Sequence, residues 1–166
     1  MRFLPHLVLA GLAGVAFAAA PVTGQRADDQ IQPKSVELQR QGKTLMSAGK
    51  LEQAEDALET ALAVDPRNRW AFVDLARVAE KQHLFGKAIR MTNKALMLEP
   101  NDPDAIAVQG EAMVEMGATA RARENLQKLQ SICGAKSCPQ VAQLSSVISR
   151  GPTVASVTTP GTPKKN

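Results

Sequence analysis

Residues 61–68 read ALAVDPRN, and residues 95–102 read ALMLEPND. The phrase returns with a period of 34 positions, and a period of that order marks a chain built from stacked units, each burying its apolar face against the next. Extending the phrase outward gives ungapped units 35–68, 69–102 and 103–136, in which the same kinds of residue share columns. One column holds Ala54, Ala88 and Ala122, another Ala61, Ala95 and Leu129, and a third Leu58, Thr92 and Leu126. Small residues at a fixed place let two helix backbones approach closely, with larger neighbours filling the space beside them.

Inside a unit the apolar spacing is helical, as in Leu38, Leu45 and Met46 and again in Leu51, Ala54, Leu58, Ala61 and Leu62, so each unit predicts two helices. Gly49 and Gly117 stand between the paired helices, where a helix ends with positive φ. The second unit has His83 in that column and Gly86 three residues later, which predicts a different turn. Pro66 and Pro100 mark the other boundary, just past a helix.

These columns resemble the tetratricopeptide repeat family. Leu38, Gln41, Gly42, Leu45, Ala54, Leu58, Ala61 and Pro66 match its pattern in the first unit, and Phe72, Leu75, Ala76, Ala79, Ala88, Thr92, Ala95 and Pro100 in the second. Ile106, Gln109, Gly110, Met113, Ala122, Leu126 and Leu129 follow in the third, where Gly134 replaces the proline and the array is expected to stop. The segment 138–150, with Val141, Leu144, Val147 and Ile148 on one face, is expected to form a capping helix. The resemblance implies an all-α fold, a right-handed superhelical stack of helix-turn-helix repeats over residues 35–150.

It also implies a concave groove, lined by the first helix of each unit, that holds a protein or peptide partner. Carried over by column, the groove residues are Gln39, Lys43 and Met46, then Trp70, Val73, Arg77 and Glu80, then Asp104, Ala107, Glu111 and Val114. Some relatives grip a carboxylate terminus with Lys, Asn and Arg in such columns. Here Gln39, Lys43, Asp74, Asp104 and Val108 do not assemble that clamp. Trp70 reads either as an anchor for the partner or as a packing residue between helices near Pro66.

The two ends are different material. Residues 1–18 begin with a charge at Arg2, run apolar and finish in Ala16-Phe17-Ala18, the anatomy of a secretory signal peptide cleaved before Ala19. Residues 19–34 and 151–166 lack periodicity and read as a disordered linker and tail. A periplasmic or secreted location is therefore expected, with membrane contact only through the signal peptide before its removal. The formal net charge of +4 is mild, and the basic residues are interleaved with acids, which argues against a nucleic-acid partner.

Chemistry has few places to reside. Cys133 and Cys138 are expected to form a structural disulfide in an exported protein. Without C-x-x-C, C-x-x-C-H or a set of zinc ligands, no redox centre, cofactor or metal is expected. His83 has no nucleophile or acid arranged around it and reads as a turn residue. Asp56, Arg90 and Glu124 share a column and are expected to alternate in sign along the stack. The expected function is a non-catalytic periplasmic scaffold that binds a protein segment and no small-molecule substrate. The alternative is an exported thiol-redox or cytochrome-maturation accessory that uses the cysteine pair.

Overall fold

The computed structural model describes residues 30–134 and 138–153; the expected signal peptide, linker residues 19–29 and the tail beyond Thr153 lie outside them. Among the described residues seven helices follow in order: α1 (Pro33–Ser47), α2 (Leu51–Val64), α3 (Arg69–Lys81), α4 (Phe85–Leu98), α5 (Pro103–Glu115), α6 (Thr119–Cys133) and α7 (Pro139–Arg150). Each expected unit supplies one pair. α1 starts two residues before Ser35 because Pro33, with φ preset for a helix and no N–H to leave unpaired, occupies its first turn. α7 begins likewise at Pro139, with Cys138 at its N-cap.

Asn68 and Asp102 occupy one column and cap α3 and α5. Their side-chain oxygens accept from Ala71 N at 3.2 Å and Ala105 N at 3.0 Å, pairing donors that a helix start leaves open. Asn68 also donates to Ser35 Oγ at 2.9 Å, which donates to the Ala61 carbonyl at 2.7 Å. This buried chain ties α1, α2 and α3 together. Beside it the bonds from Arg67 hold the Asp65 carboxyl down at about 2, with the Gln32 backbone N–H also donating to it.

The core is the set of small columns. Ala54, Ala88 and Ala122 are fully buried, as are Ala61, Ala95 and Leu129. Thr92 sits in the core where its neighbours have leucine, and its hydroxyl is satisfied within α4 by the Ala88 and Ile89 carbonyls. The capping helix uses the same device: Leu144 is fully buried and fills the notch over Gly110, where any added Cβ would meet its methyl groups at 2.7 Å.

The turn of the second unit departs from expectation. His83 adopts φ of 59°, beside 75° at Gly49 and 78° at Gly117. All three close the same bonds, and in the second unit His83 N donates to Glu80 O and Leu84 N to Ala79 O. Gly86 takes no part, lying within α4. The stack thus forces a side chain into the left-handed region, at a cost of about 1 kcal/mol. His83→Gly is expected to stabilise the fold by about 0.5–1 kcal/mol in urea unfolding. A loss of stability would mean that the edge contact of His83 with the Phe85 ring, centroids 5.9 Å apart, outweighs the strain.

Curvature follows from which helices touch. α1 packs on α3, α3 on α5 and α5 on α7, whereas among the described residues the backbones of α2, α4 and α6 do not pack on one another, α2 and α4 being bridged by the long Lys87 side chain. The first helices therefore form the inner, concave wall and the second helices splay outward.

Candidate functional site

Along the concave wall, polar side chains link one helix to the next. Gln39 on α1 donates to Asp74 on α3, Arg77 donates to Asp74 at 3.3 Å and to Asp104 on α5 at 2.8 Å, and Gln140 on α7 donates to Asp104 at 3.2 Å. Four helices are thus joined across the groove by one chain of bonds. Lys43 stays exposed.

Past this chain, near the C-terminal ends of α3 and α5, the groove opens into a cavity of about 240 Å³. Glu80, Glu111 and Glu115 converge there, with Lys81, Val147, Arg150 and Thr153 at its walls. Burial pushes the Glu80 carboxyl up to about 8, aided by the charges of Glu111 and Glu115. Burial also raises Glu111, against the hydrogen bond from Gln143, and its Oε1 is buried without a hydrogen-bond partner. Arg77 and Lys81 act against the rise at Glu80, and Arg77 and Arg150 against that at Glu111, without overcoming burial; Arg77 is itself bonded to Asp74 and Asp104, and Lys81 and Arg150 are exposed. Among the described residues no group of three His, Cys, Asp or Glu is arranged to hold a metal ion. What the cavity can accept is a hydrogen-bond donor or an organic cation.

Several expected groove residues lie elsewhere. Met46 and Val73 are buried, at 8% and 2% exposure, packed among core side chains on α1–α4 and α5, and Ala107 and Val114 are buried too. Helical spacing puts them on the inner helices, but these positions are rotated into the helix–helix seam. Trp70 is 45% exposed, so it does not pack between helices near Pro66; its ring lies 4.3 Å from the Arg69 guanidinium, which in turn binds Asp102. Gln140, Arg150 and Thr153 are absent from the sequence reading because they come into the groove through α7 and the chain after it, and Glu115 because it is the last residue of α5, one turn past the expected groove position Glu111.

The expected charge ladder also shifts. Asp56, Arg90 and Glu124 are exposed, and among the described residues no ion pair joins them. The pairing between units runs instead through Lys87, which binds Glu55 and approaches Glu59, and this holds Glu55 below the usual carboxylate range. Cys133 and Cys138 are joined, with Cα atoms 5.8 Å apart, clamping the end of α6 to the start of α7.

Comparison with known proteins agrees with this architecture. The tetratricopeptide repeat family model matches residues 45–110. No curated protein sequence matches the chain significantly. The fold is similar to the Sgt2 TPR domain from Aspergillus fumigatus, with 21% identity, TM-score 0.66, and coverage of 72% of this chain and 79% of that one. It is similar to the TPR2B domain of yeast Sti1 in its pHsp70 complex, at 22% identity and TM-score 0.65 over 72% and 98% of the two chains. The first TPR of Spaghetti (RPAP3), solved with the HSP90 peptide SRMEEVD, gives 19% identity and TM-score 0.64 over 70% and 91%. Residues 45–110 thus match tetratricopeptide repeats in sequence, and the array as a whole shares the fold of TPR domains.

Proposed function

We propose that this protein is an exported, non-catalytic adaptor, periplasmic or secreted, whose concave groove holds a segment of a protein partner. The observation that carries the reading is the cavity at the groove's end, where the half-buried Glu80 and Glu111 are raised by burial in spite of the cations around them and Glu111 Oε1 has no hydrogen-bond partner. A fold of this family generally serves as an interaction scaffold, and two of the similar structures hold chaperone peptides. The charge here favours a different ligand. SRMEEVD is acidic, whereas the end of this groove presents Glu111 and Glu115 beside Glu80, whose raised carboxyl a cation would ionise, so a lysine or arginine of the partner fits the cavity and an acidic terminus does not. The disulfide joins α6 to α7 at the end of the array, which favours a structural role over thiol exchange.

The test is capture of the partner from the envelope of the native host with wild type, Glu111→Lys and Glu124→Lys. A lysine at position 111 would pair with Glu80 and Glu115, filling the cavity while keeping the array folded. Recovery is expected to fall at least about tenfold with Glu111→Lys, a loss of about 1.4 kcal/mol, and to persist with Glu124→Lys. Retention by Glu111→Lys together with loss by Glu124→Lys would move the contact to the outer face. The captured wild-type chain is expected to begin at Ala19 by intact mass.

A further inference from the structure

The chain does not leave the array where α7 ends. Gly151 turns it with φ of 75°, and Thr153 then donates twice to Glu115 Oε2, from its backbone N–H at 2.9 Å and from its hydroxyl at 2.7 Å. These bonds bring the chain back to α5, and Thr153 lines the cavity that Glu80 and Glu111 share. Residues 154–166, VASVTTPGTPKKN, continue from that point with Lys164 and Lys165 and no acidic side chain.

We infer that residues 154–166 occupy the groove of their own chain, with Lys164 or Lys165 placed among Glu80, Glu111 and Glu115. The segment is then a tethered competitor of the partner. Three observations support this occupant. The chain already enters the cavity by donating hydrogen bonds to one of its carboxylates. The charges are complementary, since three carboxyls line the cavity and the cations near them, Arg77 bonded to Asp74 and Asp104 and the exposed Lys81 and Arg150, do not overcome the effect of burial on Glu80 and Glu111. Reach sets no limit, because an extended chain spans about 3.3–3.6 Å per residue, about 36 Å from Thr153 to Lys164, far beyond the width of one cavity. Tethering matters more than affinity: a short linker gives an effective concentration in the millimolar range, so even a weak contact is populated.

The inference rests on the groove being the binding face. It is tested with the peptide 154–166 added in trans to the mature chain, to a chain ending at Thr153 and to Lys164→Glu/Lys165→Glu, with amide NMR shifts as the readout. Removing the tail is expected to shift the amides of Glu80, Glu111 and Glu115 and to leave α2 unchanged, which also confirms folding. The added peptide is expected to reverse those shifts, and to bind the shortened chain and the double variant at least about threefold more tightly than the intact chain. Cavity amides that ignore loss of the tail, shifts confined to another face, or shifts that depend on protein concentration and so report a second copy would each overturn it. If the tail proves undocked while Glu111→Lys still abolishes partner capture, this inference fails and the proposed function stands. If the tail docks and Glu111→Lys leaves capture intact, the reverse holds.

Discussion

Leu144→Ala is expected to cost about 3 kcal/mol of stability and to undock α7, since large-to-small changes at fully buried leucines cost about 2–5 kcal/mol. Leu144 is the buried residue of α7, filling the notch over Gly110, and Val141, Val147 and Ile148 around it are only half-buried. Little else on α7 could compensate. A stacked array behaves as a chain of neighbour contacts, so its end unit has one neighbouring face and is the weakest point. The functional consequence follows, because Gln140, Gln143 and Arg150 reach the groove from α7. Thermal melting is expected to drop by on the order of 10 °C, with the amides of Asp104 and Glu111 shifting even below the transition. A melting temperature within about 2 °C of wild type would show that the disulfide alone holds the cap.

The second large effect concerns pH. An unfolded chain ionises Glu80 above 4.5, whereas the folded chain keeps its proton until about 8. The folded state therefore binds more protons through that window, and stability falls as pH rises from about 4.5 to about 8. Over the full window the loss is on the order of 3 kcal/mol, taking some reduction for water at the open side of the cavity. The groups facing Glu80 are Glu111 and Glu115 from α5 and Arg77 and Lys81 from α3, with Arg150 of α7 and His83 of the turn after α3 on the same cavity. Glu80→Gln keeps the shape and removes the titration. It is expected to flatten the profile and to be more stable than wild type by roughly 3 kcal/mol at pH 8, with near equality at pH 4.5. Parallel profiles for the two proteins would mean that Glu80 is solvated and ordinary.

What the sequence made legible is the periodic part. Ala54, Ala88 and Ala122 announce the close helix contacts, and Val141, Leu144, Val147 and Ile148 announce the cap, because burial on one face of a helix leaves a spacing that can be read directly. At His83 the local preference for glycine predicts a different turn, and the register of the stack overrides it. The structure shows the packing of α3 on α4 deciding the backbone there. Met46 and Val73 were placed in the groove because column position does not say how far each inner helix is rotated about its axis. The charge column misled for a related reason: Lys87, not Arg90, faces Glu55, and only the angle between units reveals it. The cavity itself was the least legible. Glu80 and Glu111 were named, but their unusual carboxyls depend on burial by α7 and on Glu115, whose partner Thr153 lies in a segment without any periodic signal.

The central claim is that the inner wall, and its carboxylate-lined end above all, is where this protein meets its partner. The most direct measurement places a photo-reactive amino acid at one position at a time in the native host: Lys43 or Glu111 on the inner helices, Asp56 or Glu124 on the outer ones. Irradiation is expected to give a covalent adduct with one partner from positions 43 and 111 and none from 56 or 124. Adducts from 56 and 124 without any from 43 and 111 would contradict the account and assign the interaction to the outer face.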